Sequence, residues 1–520
     1  MQRKCFRVGM AWVSLCAALA VLVACSGDPV PVPVAIGEAS LIRNVQIIDG
    51  TGTAAFSGAV RISGITIIDV GDLEPLAGDS VHDGRGLTLA PGFIDTHSHG
   101  DRDLLVQPDA LPATSQGITT IVVGQDGGSP IPLAEYFSDV EASGSTVNLA
   151  SYAGHNTIRW KVMGDDFRRN ATAAEIEAMA DMLATELASG ALGLSTGLEY
   201  EPGIHSAPEE VLALAQVTAD AGGRYISHVR SEDRWFDEAL DEIIEIGRVT
   251  GMPVQVSHIK LAMKRLWGDA PRIIAKLDAA RADGVRISAD IYPYEYWQSN
   301  LMVLLPERNY TDRAAIEEAL DQIAPPEGLW ITGYAPDPSL IGMTLSDIAA
   351  ARSVDTATAF RQLAESVDSD DEAAGNDTVS IIGTSMIEED IGQLMQWPHT
   401  NICTDGAFED LHPRARGSFT RVLGRYVRER KLLTLEEAVH KMTGLAAQHM
   451  GFDDRGVIRE GAVADLVLFD PQSVIDRATP DASQLLSEGI DAVWVGGQQV
   501  FAQGHATDAR PGKVIRRAVK

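Results

Sequence analysis

Cysteine is scarce in this chain, with 4 in 520 residues. Cys5, Cys16 and Cys25 all fall at the amino terminus, so Cys403, in "TNICTD", stands alone in the remainder and no intramolecular disulfide can form there. Cys403 reads as a small buried hydrophobe rather than a nucleophile. Basic residues are also in short supply: 42 Lys and Arg face 73 Asp and Glu, a formal charge of −31. That balance argues against nucleic acid and anionic membrane surfaces as partners. An anionic substrate would need a local basic pocket to enter such a field. What remains is globular in character: 45% apolar residues with 48 Gly and 24 Pro suit one large domain and a smaller companion.

The amino terminus reads as a targeting segment. "MQRKCFR" is basic, "VGMAWVSLCAALAVLVA" is apolar, and "CSGDP" follows, which together form a signal peptide over residues 1–24. Leu22 to Cys25, "LVAC", resembles a bacterial lipoprotein cleavage box, with Cys25 lipidated and residues 25–39 a Pro-rich tether. Ser26 after that cysteine resembles the outer-membrane sorting pattern. The expectation is a cell-envelope or periplasmic protein, secreted or held to the membrane only by lipid at Cys25. Loss of Arg3, Lys4 and Arg7 leaves 39 basic residues against 73 acidic ones, a charge of −34.

From residue 90 onward, short apolar runs alternate with amphipathic helical stretches. The runs are "GFIDTH", "ITTIVVG", "TVNLASY", "GALGLST", "GRYISHV", "MPVQVSH", "VRISADIY" and "TNICTD". Eight such runs separated by helices predict a parallel (β/α)₈ barrel over 91–445. Residues 40–90 and 446–510 share a different texture, short and alternating, and are expected to form one small flanking β-sandwich from both ends of the chain. About a hundred residues separate the last two runs, so an insertion is placed at about 300–390.

Polar residues recur where these runs end. His97 and His99 follow the first, Asp126 the second and His155 the third; His228, His258 and Asp405 close the fifth, sixth and eighth. Strand carboxyl ends converge on one face of a barrel. Any one of these residues has an ordinary structural explanation, but four imidazoles and two carboxylates drawn from this set suit one or two Zn²⁺ or similar ions.

The ordered set "PGFIDTHSHGD", "GITTIVVG", "GALGLSTGLEYEPG", "YISHVRSE", "VQVSHIK", "DIYPY" and "TDGAFEDLHPRARGSFTRVLGRYVRE" resembles the amidohydrolase superfamily, and more closely its N-acyl-D-amino-acid deacylase (D-aminoacylase) group. The resemblance spans nearly all of residues 40–505. It implies the same barrel and flanking β domain, with His97, His99, His228, His258 and Asp405 as metal ligands. Asp126, in "VVGQDGG", stands where the simplest deacylases have a cysteine; a carboxylate is the harder anionic ligand. Asp405 is also implied as the catalytic group, taking a proton from the attacking water and returning it to the leaving amine. Lys260, Tyr292, Ser299 and Arg414 are implied to hold the substrate's free carboxylate, with Tyr200 near the pocket. The implied reaction is hydrolysis of N-acyl-D-amino acids. Alternatives are an L-Xaa-D-Xaa dipeptidase, a hydantoinase-like or dihydroorotase-like cyclic amidase, and a non-catalytic binding lipoprotein. The cyclic amidases use a strand-four lysine that "GLSTGLEY" lacks.

Overall fold

In the computed structural model the described residues are 39–366 and 379–518. The signal peptide, Cys25 and the tether up to residue 38 lie outside them, as does the acidic run 368–377. Among the described residues no helix is long and apolar enough to cross a membrane.

The barrel is built from Phe93–Asp95, Ile118–Val123, Asn148–Ser151, Gly193–Gly197, Arg224–His228, Val254–Val256, Ile287–Ile291 and Thr400–Ile402. These strands are almost wholly buried, as expected of a parallel sheet covered by helices. Neighbours pair in parallel throughout. The third strand is split at Tyr152: Asn148–Ser151 pairs with the second strand, and Ala153–Gly154 with the fourth. Beyond the strand ends, the last and first segments meet where the Asp405 N–H donates to the His97 carbonyl at 2.8 Å and the His99 N–H to the Gly406 carbonyl at 3.0 Å.

The helical stretches fold as their periodicity predicts. Ala173–Ala188 begins with a capping box at Thr172 and Glu175, Pro208–Asp220 has Pro at its first turn, and Phe236–Thr250 ends at left-handed Gly251. Strands from both chain ends lie in one nine-stranded sheet rather than in two separately paired ones, around its own core of Ile42, Ile47, Val60, Leu89, Leu466 and Trp494. The tail continues past this sheet, where Val514 bridges to Leu149 of the barrel. The insertion carries a three-stranded antiparallel sheet in which Ser380–Thr384 lies between Tyr296–Asn300 and Leu329–Gly333.

Lys441 is buried near the eighth barrel strand and donates to the carbonyls of Trp397 and Thr400 at 2.7 and 3.1 Å. Burial pulls its pKa down to about 8. The unfolded chain therefore binds more protons between pH 8 and 10, and stability rises with pH across that window by roughly 3 kcal/mol. Lys441→Met should remove this rise, as measured by denaturant unfolding at pH 7 and pH 10; an unchanged slope would refute the assignment.

Candidate metal centre and substrate pocket

The residues that follow the barrel strands meet at one end of a cavity of about 690 Å³. His97 Nε2 lies 3.4 Å from Asp126 Oδ2 and 3.4 Å from Asp405 Oδ1, and His99 Nε2 lies 3.3 Å from each of the same oxygens. Donors held about 2.0–2.2 Å from a tetrahedral ion sit about 3.3–3.6 Å from one another, so each of these four contacts has the spacing of a zinc-type site, and donor atoms of His97, Asp126, His258 and Asp405 all lie within 4.8 Å of one another. Both ring nitrogens of His97 are buried with no hydrogen-bond partner, which an ordinary core histidine would have satisfied. A second set adjoins the first. His258 Nε2 is 3.4 Å from Asp126 Oδ1 and 3.1 Å from His228 Nδ1, and Glu232 reaches His258 Nδ1 at 2.9 Å. The two oxygens of Asp126 thus face different histidines. The donor chemistry, imidazoles and carboxylates with a shared carboxylate between them, fits one or two divalent ions.

The electrostatics agree. Burial acts to raise the pKa of Asp126, yet His97 and His258 hold it well below the usual carboxylate range. At Asp405 burial is outweighed by Arg414, His258 and His97. Burial and Arg102 act to lower His99, but hydrogen bonds to Asp126 and Asp405 raise it to about 9. Burial and Lys260 act to lower His258, but Glu232, Asp405 and Asp126 lift it to about 10. An anionic field strong enough to draw protons onto buried imidazoles is one that draws a dication.

Backbone strain gathers at the same place. Asp126, His258 and Asp405 have φ of 52°, 32° and 52°, the left-handed region that non-glycine residues rarely occupy. Each turns the chain sharply as it leaves a strand, which aims the side chain across the barrel mouth.

The remaining sequence candidates divide. Lys260 Nζ sits 2.6 and 2.7 Å from the Glu232 carboxylate and 2.7 Å from His258 Nδ1. Arg414 pairs with Asp405 Oδ2 and stacks 4.9 Å above the Tyr292 ring, while its Nε is buried without a partner. The Tyr292 hydroxyl is likewise buried and unpaired. Tyr200 contacts His228 Nδ1 at 3.2 Å, and Ser299, on the insertion sheet, lines the cavity. His155 does not join them: its Nε2 contacts Glu210 at 2.8 Å, in a buried cluster with Arg159. Two members escaped the sequence reading. Glu199 contacts His228 Nε2 at 2.9 Å, and Glu232 anchors Lys260. Both sit inside quoted motifs, "GLEYEPG" and "SHVRSE", but no local spacing marks either acid as part of the site.

Comparison with known proteins matches this geometry. Residues 80–327 and 353–501 fit the model of the amidohydrolase family. An N-acyl-D-glutamate deacylase of Alcaligenes xylosoxydans xylosoxydans is 39% identical over 92% of this chain and 96% of its own length. The chain belongs to the amidohydrolase family, in its N-acyl-D-amino-acid deacylase group. An N-acyl-D-aspartate deacylase of the same organism is 36% identical over 91% of this chain and 94% of its own. The structure superposes with a TM-score of 0.82 on the N-acyl-D-glutamate deacylase of Bordetella bronchiseptica, 38% identical, covering 92% of this chain and 100% of that one. That enzyme was crystallised with zinc and a phosphonate mimic of the tetrahedral intermediate. A D-aminoacylase at TM-score 0.81 and 34% identity, covering 92% and 99% of the two chains, has a binuclear metal centre. The barrel with a flanking β domain is thus this amidohydrolase's fold.

Proposed function

We propose that this amidohydrolase cleaves the amide bond of N-acyl-D-amino acids, releasing a carboxylate and a D-amino acid, with Zn²⁺ at one or both positions of its centre. The observation that carries the reading is that His97 and His99 each lie 3.3–3.4 Å from the same oxygens of Asp126 and Asp405, the spacing of ligands about one ion, with Asp405 held by Arg414. His97, His99, Asp126 and Asp405 would hold one ion; His228 and His258, with the second oxygen of Asp126, would hold the other. A bound dication supplies Lewis acidity to the amide carbonyl and makes water a nucleophile at neutral pH.

The chain's own groups do the rest. Asp405 Oδ1 faces the histidines and accepts the attacking water's proton, while Oδ2, on Arg414, keeps the carboxylate ionised until then. The same oxygen then returns the proton to the leaving nitrogen. Lys260, Arg414, the Tyr292 hydroxyl and Ser299 provide cations and donors for the substrate's α-carboxylate, and Tyr200 closes the wall beside His228. The positive charge of Lys260 and Arg414 is largely offset by Glu232 and Asp405, so ions held by the histidines and Asp126 would add to the attraction for an anionic substrate.

The test is amine release from matched N-acetyl-D- and N-acetyl-L-amino acids and an L-D dipeptide, with ring opening of a hydantoin to its N-carbamoyl acid followed separately, before and after chelation. Chelation should abolish release from the N-acetyl-D substrates, and added Zn²⁺ should restore it. Release that survives complete metal removal, or turnover of the hydantoin alone, would refute the reading.

A cell-envelope location with lipid on Cys25 belongs to the same proposal, supported by the "LVAC" box. Cys25→Ala should move the protein from the membrane to the soluble fraction and abolish radiolabelled palmitate incorporation. Unchanged labelling would overturn it.

A further inference from the structure

One buried carboxylate near the centre is not used by this chemistry. Asp290 lies on the seventh barrel strand and is fully buried, and it does not line the cavity. Its partners come from three neighbouring strand segments. Oδ1 accepts the backbone N–H of His258, and Oδ2 accepts Gln255 Nε2 at 2.6 Å. Cys403 Sγ donates to Oδ1 at 3.4 Å. No Lys or Arg pairs with it among the described residues; the basic group that faces it is His97, whose Nδ1 is 3.8 Å from Oδ1. A carboxyl group buried without a cation is expensive, and such a group persists where it acts on something else.

Two observations say what that is. His258 is in the left-handed region with φ of 32°, and its N–H is captured by Asp290 Oδ1, while the next N–H, of Ile259, donates to the Asp290 carbonyl at 2.8 Å. Asp290 therefore holds the strained turn that aims the His258 ring. On the opposite side, His97 turns Nε2 toward Asp126 and Asp405 and Nδ1 toward Asp290. An imidazole that gives Nε2 to a cation must carry its proton on Nδ1, and the Asp290 carboxyl group, 3.8 Å behind that nitrogen and beyond direct hydrogen-bond reach, is the acceptor placed to favour that tautomer.

We propose that Asp290 is a positioning residue for the metal centre, setting His97 through its ring and His258 through its backbone from a single carboxylate. The inference rests on the reading that these histidines hold metal. It predicts coupling between the two ion positions, because one group aims a ligand of each.

The experiment titrates the metal-free protein with Co²⁺, following its visible absorption bands and measuring affinity by chelator competition. Asp290→Ala should weaken Co²⁺ binding by about 100-fold, and Asp290→Asn by about 10-fold, since the amide oxygen can still accept the His258 N–H but the negative charge behind His97 is gone. Both should shift the absorption bands. Glu210→Gln, which alters a buried carboxylate of the His155–Arg159 cluster, should lower stability and leave affinity and spectrum unchanged. A ¹⁵N-histidine spectrum of the zinc-loaded natural protein should show His97 protonated on Nδ1, a readout that needs no variant. Natural affinity and bands in both Asp290 variants, or His97 found protonated on Nε2, would overturn the proposal. If the natural protein binds no Co²⁺, the metal reading itself falls, with this inference.

Discussion

Replacing Asp405 with Asn should lower kcat by about 10³-fold or more, within the range for a lost general acid–base group. The change is nearly isosteric, so the effect must come from chemistry. Asp405 Oδ1 is equidistant, within 0.1 Å, from the Nε2 atoms of His97 and His99, and Oδ2 is held by Arg414. An amide cannot take a proton from water and return it to an amine. It also faces a dilemma of orientation: with its oxygen toward the histidines it presents NH₂ to the Arg414 guanidinium, donor against donor. Asp405→Asn should therefore raise KM as well as lower kcat. Steady-state kinetics with a metal analysis of the same sample checks this. A metal-replete variant within tenfold of the natural rate would remove Asp405 from the chemistry.

Why this site could be read from the sequence while parts of it could not is a matter of which forces act locally. "HSH" announced itself because two imidazoles one residue apart share a side, and in the structure their Nε2 atoms meet the same two carboxylate oxygens although both residues lie just past the strand Phe93–Asp95. Asp126, His228, His258 and Asp405 were recoverable because the barrel topology brings every strand end to one mouth, whatever the separation in sequence. Glu232 was not. An acid four residues after His228 reads as solvated loop, and only the fold sets it against Lys260. Asp290 sits in "ISADIY", where a carboxylate within an apolar, fully buried strand was a signal that periodicity alone does not explain. The insertion was visible from its length. Its sheet order, with the last strand between the other two, depends on pairing across some eighty residues, which no local pattern carries. The left-handed backbones of Asp126, His258 and Asp405 lay beyond reach for the same reason, since local propensity disfavours them and the surrounding fold imposes them.

The missed residue yields the second large effect. Glu232→Ala should reduce the unfolding free energy by about 3–5 kcal/mol, because it strands the buried Lys260 ammonium beside His258 with no carboxylate to answer it. Burial acts to raise the Glu232 pKa, and the fact that Lys260, His228 and His258 nonetheless hold it well below the usual range shows how strongly the group is tied in. Stability and activity then separate in the double variant. Glu232→Ala with Lys260→Met removes both charges, so most of the lost stability should return. Activity should not, since the substrate's carboxylate has lost one of its cations and His258 has lost both neighbours of its Nδ1. Denaturant unfolding of the single and double variants gives the coupling energy, and kinetics on the same samples gives the functional part. Unchanged stability in Glu232→Ala would mean that Lys260 swings out to solvent when its partner is removed. The pair would then be a loose surface contact, and Lys260 could not be the fixed cation that the substrate reading requires.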